Sequence, residues 1–545
     1  MIQITNKVKR IALVNPFQTT SKGYDLNVVQ SKGQLTEIPL GLSYISAYIQ
    51  QFGYQVKIFD AHLMAVKGFS NKSFSELNEV KHELITNIID FDPDVVGISC
   101  LFHYIYKSAH EIAAMIKRRN LNIIIVMGGA YPTVSTEFVL SDRNIDFVIL
   151  GEGEKTFLDL LEALNSRFIF RQLTSIAYKN NQGQIIINRT PNILSSLDEI
   201  AMPDRKDFVL EDYYHYGRHF IQRFEEYEGK ELKIATLTAT RGCVFDCTFC
   251  ISKKLWGGGL RVRSPENVLN EIVYLNKEFG INYFAFNDDN VIINKSFAKS
   301  LLKGIIKKRL NIKWTTGGIS VRGLDEEIVD LMIQSGCLIF NIAIESASSK
   351  ILKNINKPVT IDEVIQTVEI IKKYKNTYIM ALFMLGFPYE TEEDFWKTIE
   401  FGKLLKCDWT LYSCLTPFPG SEVYNEVIEN NMLPVNIDFE RLDFRDYLIK
   451  PAYMSRTFVK NESYFANLDQ NFFNNPNLFN EKSQIAMSDF KNVIKLCPTH
   501  ASAYYCIGKI LENQNRISEA EKYYIKAKKY LSGLHYEYFK RNNLL

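Results

Sequence analysis

The sequence predicts an α/β protein in three parts: two successive strand–helix series and a helical tail. Three observations carry this expectation. Val/Ile/Leu-rich runs of about five residues alternate with helical periodicity, the pattern of parallel strands covered on both faces. The alternation lapses near residue 165 and restarts at Ile234. After it stops again, residues of like character recur 34 positions apart, with Ala486, Phe490, Val493 and Leu496 matched by Ala520, Tyr524, Ala527 and Tyr530. A length of 545 residues requires several cores. A content of 46% hydrophobic and 23% charged residues is ordinary globular material, not a disordered chain.

In the first series, KRIALVN (Lys9–Asn15) reads as a strand ended by Pro16. A helical pattern follows over Leu40–Phe52, with Gly53 as its C-cap. Strands are then expected at Gln55–Phe59, Val95–Ser99, Ile123–Met127 and Phe147–Leu150, with a helix at Lys107–Arg119. This is a doubly wound, Rossmann-like domain over residues 1–165. Residues 166–232 lack periodicity and read as a connector, with a hairpin near Asn180–Gly183 and an aromatic-rich candidate lid at Tyr213–Tyr227. The second series places strands at 234–239, 283–287, 313–316, 338–344, 378–385 and 409–414. Helices are expected at 265–279, 295–308, 325–334, 361–374 and 392–405. Six βα units without an obvious seventh predict a partial (βα)6 TIM-type barrel over 233–430. Residues 431–482, Asn-rich towards their end, read as an irregular linker, and 483–545 as repeat helices.

Lys and Arg number 64 against 62 Asp and Glu, a net of +2, so no protein-wide field attracts nucleic acid or an anionic membrane. No apolar run reaches the ~18 residues of a membrane span. The apolar stretch near the start is too short for a secretory core, so a soluble cytoplasmic protein is expected. Nine cysteines make an odd disulfide set and are expected to be reduced thiols open to metal.

Cys243, Cys247 and Cys250 crowd into eight residues directly after the first strand of the second series, the end at which barrel active sites are built. Iron–sulfur cubanes normally take four cysteines. Cys337, Cys407 and Cys414 belong to later elements, so three thiolates would leave one iron open for chemistry. A zinc knuckle, short of a fourth ligand, or chance clustering are the alternatives. Asp288 and Asp289 end the second strand, where helix capping is the competing reading. Glu345-Ser346 ends the fourth strand and Gly386 the fifth. In the first series, Ser99, Gly128, Gly129 and Gly151-Glu152-Gly153 stand at the carboxyl ends of parallel strands, where open sheets bind ligands and glycine admits a close approach.

CVFDCTFC resembles the CxxxCxφC motif of the radical S-adenosylmethionine (SAM) superfamily, with Phe249 as the aromatic residue. The resemblance implies a 4Fe-4S cluster on Cys243, Cys247 and Cys250 whose fourth iron chelates SAM. An electron from an external flavodoxin- or ferredoxin-type reductant then yields a 5′-deoxyadenosyl radical, with no catalytic side chain implied. It also implies SAM contacts from Phe249, from Asp288 and Asp289 at the amino group, and from Glu345 and Ser346 near the ribose and carboxylate, with Gly386 beyond them. Ala347 stands where the family more often has glycine.

Pro39-Leu-Gly41-Leu, the segment Pro93–Ser99, Gly128-Gly129 and Gly151-Glu152-Gly153-Glu154 resemble the cobalamin-binding domain that precedes many such enzymes. This implies cobalamin held by Ser99, Gly128, Gly129, Gly151, Glu152 and Gly153, its nucleotide tail beside Ser99 and Gly128. The DxHxxG signature is absent after the first strand, where NPFQTTSKG stands. His62 and His103 lie just past strand ends, but such histidines are more often satisfied core groups. Cobalamin without a protein histidine on its lower face is expected. The best-known outcome in the class is methylation of an unactivated carbon. A cyclase or ring-rearranging reaction, or a non-catalytic scaffold, are the alternatives. The 34-residue period, with Gly508 between, resembles tetratricopeptide (TPR) repeats, which implies either a dock for a carrier or peptide-like substrate or a packing cap. The substrate, small-molecule or peptide-like, is not legible.

Overall fold

The computed structural model describes residues 7–30, 34–166, 170–216, 232–444 and 446–545. Five Val/Ile-rich strands pair in parallel: β1 (Arg10–Asn15), β2 (Gln55–Asp60), β3 (Val95–Ser99), β4 (Ile124–Gly128) and β5 (Phe147–Ile149), in the order 2-1-3-4-5. Alternate residues of each strand enter opposite cores. Ala12, Val14, Val96, Ile98, Ile125 and Met127 face one, and Ile11, Leu13, Val95, Ile124 and Val126 the other. The two-sided burial explains why these strands read as continuous apolar runs.

The connector contains the expected hairpin, but that hairpin is not separate from the first domain. Its hairpin, β6 (Ile176–Lys179) and β7 (Ile185–Asn188), extends the first sheet antiparallel to β5. Gly183 takes φ +77° in the turn. Tyr213, the first residue of the expected lid, is buried and donates to Asp60 Oδ2 at 2.7 Å. Residues 217–227 of that lid lie outside the described residues.

The second series starts with β8 (Ile234–Leu237), followed by a two-stranded antiparallel ladder, β9 (Thr240–Cys243) and β10 (Gly259–Val262). Then come β11 (Tyr283–Phe286), β12 (Lys313–Thr316), β13 (Cys337–Glu345), β14 (Tyr378–Leu385) and β15 (Trp409–Cys414). With β8 these five form an open, all-parallel sheet in chain order, an incomplete barrel. Helix boundaries follow local chemistry. Pro265–Phe279 has Ser264 as N-cap, Pro265 at its first turn and Gly280 in the left-handed C-cap.

Only part of residues 431–482 is an irregular linker. Arg456–Leu468 is a helix that continues through a wider turn, Asp469–Phe473. Three asparagines four apart pair with the outer edge of β15. Asn467 Oδ1 accepts from Tyr412 N at 3.1 Å and its Nδ2 donates to Tyr412 O at 2.8 Å. Asn471 does the same at Thr410, at 2.7 and 2.6 Å, and Asn475 Nδ2 donates to Asp408 O at 3.3 Å. A four-residue helical step advances ~6 Å and a two-residue strand step ~6.6 Å, so the amides keep register with alternate strand residues. Asparagine looks like loop composition because it competes with backbone hydrogen bonding; here it imitates backbone.

Helices at Ser483–Leu496, Ala501–Asn513, Ile517–Tyr530 and Gly533–Arg541 close the chain. Their core is shared with Phe465, Leu468 and Phe472 of the asparagine helix. Gly508 lies against Tyr524, so that a Cβ there would sit 2.5 Å from the ring. Among the described residues no helix is long and apolar enough to cross a membrane.

Candidate active site

The cysteine loop is the 244–258 segment between β9 and β10. Arg241 and Arg261 stand opposite each other in this ladder, and Cys243 faces Gly259. Gly242 has φ +86°, and a Cβ on it would lie 2.2 Å from Gly259 O, so the ladder requires glycine there. The loop is pinned to the barrel mouth on two sides: Thr248 N donates to Ile355 O at 3.2 Å, and Thr248 O accepts from Val423 N at 3.0 Å. Burial raises all three thiols, Cys247 to about 12, and the Lys357 ammonium opposes that shift at Cys243 and Cys247. Among the described residues no trio of His, Cys, Asp or Glu side chains converges as for a single metal ion.

Lys357, to which the sequence reading gave no role, is buried and donates to Glu345 Oε1 at 3.0 Å. A register shift between β13 and β14 after Ala343 and a φ of +70° at Glu345 turn that carboxylate towards the lysine. Asp289 is exposed and accepts from Ser252 Oγ, two residues past Cys250. Phe249 packs on Phe387, ring centroids 6.5 Å apart.

Three other residues expected around SAM have other engagements. Asp288 is buried and accepts from Ala239 N at 3.0 Å and Thr240 Oγ1 at 2.7 Å, tying the β8–β9 junction. Burial pushes its carboxyl up to about 7 despite these bonds. It caps a loop, not a helix. Ser346 is fully buried, its Oγ 3.1 Å from Thr398 Oγ1 and accepting from Ser348 N at 3.1 Å. Gly386, φ +84°, lies under Tyr447, which donates to its carbonyl at 2.7 Å, while Glu390 accepts its N–H at 2.6 Å.

In the first domain a mostly apolar cavity of about 200 Å³ opens between the carboxyl ends of β3, β4 and β5 and the cysteine loop. Ser99, Gly128, Gly129, Gly151, Glu152 and Gly153 all line it. So do Arg241, Leu255 and Trp256 of the cysteine hairpin, which sequence reasoning missed. Gly41 and Gly128 leave open space: a Cβ would meet nothing within 4 Å at Gly41 and only Ile149, at 3.9 Å, at Gly128. The other glycines are fixed by packing. Cβ atoms would lie 2.5 Å from Cys100 O at Gly129, 2.8 Å from Leu255 O at Gly151 and 2.7 Å from Ile45 at Gly153.

Glu152 departs from a pure ligand role, because its carboxylate bonds Arg241 at 2.6 Å and also Arg261. Glu154 takes Arg241 Nη1 at 3.2 Å and Nη2 as well. Burial alone would raise Glu154; the Arg241 guanidinium holds it below the usual carboxylate value. His62 has both ring nitrogens engaged, with Tyr24 Oη at 2.8 Å and Leu35 O at 2.7 Å. His103 is buried, contacts Ser135 Oγ at 3.1 Å, and is pushed down to about 3 by burial. Both are satisfied core groups.

Residues 237–402 match the radical SAM superfamily model and residues 26–161 the B12-binding domain model. An uncharacterized methyltransferase of Pyrococcus horikoshii is 30% identical over 428 residues, 78% of this chain and 85% of the relative. Cytidylyl-2-hydroxyethylphosphonate methyltransferase of Streptomyces wedmorensis is 27% identical over 82% of this chain and 86% of its own length. The cobalamin-dependent radical enzyme OxsB, solved with aqua-cobalamin and SAM bound, superimposes with a TM-score of 0.68 at 16% identity, covering 98% of this chain and 80% of that one. This chain therefore belongs to the radical SAM superfamily, as a member with a B12-binding domain ahead of the radical SAM domain, and it is an enzyme that works with a 4Fe-4S cluster, SAM and cobalamin.

Proposed function

We propose that this enzyme methylates an unactivated carbon of a small-molecule substrate. One observation carries the reading: the hairpin that bears Cys243 also supplies Arg241, Leu255 and Trp256 to the wall of the cavity at β3–β5, so the two candidate cofactor sites share one loop. The methyltransferase names of two relatives that align along most of the chain support methylation over cyclisation. When bound, the cluster and SAM supply a 5′-deoxyadenosyl radical, and cobalamin supplies the methyl group. Cys243, Cys247 and Cys250 would hold three irons and leave the fourth to SAM. Lys357 balances the negative charge of the thiolates, held in place by Glu345. Phe249 and Phe387 exclude water from the mouth, while Asp289, braced by Ser252, faces it as a SAM contact. Ser99, Gly128 and Gly41 would admit the cobalamin tail, while His62 and His103 stay engaged within the core.

The division that fits this reading is a cobalamin domain ending near residue 165, a barrel from about 233 to 430, and an asparagine-edged helical tail. The enzyme acts on a small molecule and draws on an external reductant; we take that reductant to be a flavodoxin or ferredoxin and the location to be cytoplasmic. Anaerobic reconstitution with iron, sulfide and hydroxocobalamin, followed by dithionite and trideuteromethyl-SAM, tests the proposal without the substrate. Formation of 5′-deoxyadenosine and recovery of the label in the corrinoid fraction are expected. No 5′-deoxyadenosine overturns the radical reading, and an unlabelled corrinoid fraction overturns methyl transfer.

A further inference from the structure

Arg241 and Arg261 face each other across a two-stranded ladder, an arrangement that repels when left alone. The first domain supplies the two carboxylates that neutralise it. Glu152 bonds both arginines, and Glu154 bonds Arg241 through both of its oxygens. Side-chain exposures of 8% for Arg241, 4% for Glu152 and 6% for Glu154 remove the screening that weakens surface pairs. Gly151 brings the backbones so close that a Cβ would lie 2.8 Å from Leu255 O, leaving no room for an intervening side chain.

Burying three charges and part of a fourth costs desolvation that the mutual attraction offsets only in well-formed geometry, so such a network adds little net stability. What it does supply is a single docking position, because any displaced setting leaves a buried charge unpaired. The docked element carries Cys243 two residues after Arg241 and contributes Leu255 and Trp256 to the cavity wall.

We propose that Glu152 and Glu154 are positioning residues. Acting through Arg241 and Arg261, they fix the cysteine loop at one setting against the cobalamin cavity, and so couple occupancy of the cavity to the geometry of the loop. This rests on the reading that the cavity takes cobalamin and the loop the cluster. By linkage, the coupling acts in both directions.

The test uses the full chain, reconstituted with iron, sulfide and hydroxocobalamin, as wild type, Glu152→Gln, Glu154→Gln and Glu154→Asp. Pulsed EPR reads the distance distribution between cob(II)alamin and the reduced cluster, and dialysis reads hydroxocobalamin affinity. Both glutamine variants should load both cofactors, show a broadened distribution, and bind hydroxocobalamin about tenfold more weakly; Glu154→Asp should recover towards wild type. Glutamine variants with the wild-type distribution and affinity overturn the proposal. If Glu154→Gln does not fold, Arg261→Gln, at the more exposed end of the network, is read for the same two outcomes. A wild-type chain that shows no cob(II)alamin signal would instead sink the cofactor reading beneath it.

Discussion

Replacing Gly128 with valine separates the cavity from the fold that frames it. Gly128 has no left-handed φ, and a Cβ there meets only Ile149, at 3.9 Å, so β4 accepts a side chain. The unfolded chain loses freedom, which stabilises the fold by ~0.4–1 kcal/mol where the conformation is compatible. The two methyls then project into a cavity of about 200 Å³. Overpacking against a bound ligand costs ~1–3 kcal/mol, or roughly 5- to 150-fold in Kd. Gly129→Ala is the control: at φ +111° and 2.5 Å from Cys100 O, its Cβ strains the backbone. That variant should lose ~1–3 kcal/mol of stability. Equilibrium dialysis against aquacobalamin, with urea denaturation of the ligand-free chains, reads both effects. Wild-type cobalamin affinity in Gly128→Val, or a stability loss equal to that of Gly129→Ala, would refute the reasoning.

Lys357→Met leaves the half-buried Glu345 without its partner, a local penalty of ~1–3 kcal/mol, and removes the cation beside the thiols. Iron content after reconstitution should fall, and adding Glu345→Gln should restore stability but not iron; full recovery of iron in the double variant would remove Lys357 from the site. Glu390 is pushed up to about 8 by burial, so the folded chain keeps a proton that the unfolded chain releases above the ordinary carboxylate range. Its stabilising share is complete below that window and is lost as pH rises to about 8. Glu390→Gln, which keeps an acceptor for Gly386 N, should flatten the decline between pH 5 and 8.5, and an unchanged slope counts against the assignment. Asn471→Leu orphans the buried N–H and C=O of Thr410, at ~1–3 kcal/mol each. Hydrogen exchange at Thr410 should quicken by about tenfold or more, and unaltered protection would show that the edge is held otherwise.

Strand positions in both sheets were legible because strands buried on both faces carry their signal in consecutive residues. Lys313–Thr316, Tyr378–Leu385 and Trp409–Cys414 fall where periodicity put them. The β9–β10 ladder was not legible: TRGC and GLRV are four-residue strands containing glycine, and their pairing depends on a loop between them. The three cysteines and the cavity-lining glycines stand in local motifs, so sequence located them. The partners of Glu152 and Glu154 lie 87 to 109 residues away and Lys357 follows no motif, so only the folded chain joins them to the site. Asp288 and Ser346 were correctly located at strand ends, but the direction of a side chain at a strand end depends on neighbours that periodicity does not encode.

The asparagine row on β15 has a consequence for synthesis. Residues 10–414 contain every strand of both sheets, yet the last strand keeps an unpaired outer edge until Asn467, Asn471 and Asn475 have left the ribosome. At ~5–20 residues per second, the sixty residues that follow β15 take several seconds to appear. During that interval the nascent barrel presents a bare strand to any other chain nearby. A chain terminated near residue 430 would hold that state permanently, and is expected in the insoluble fraction although it contains all three cysteines of the loop and the whole cobalamin cavity.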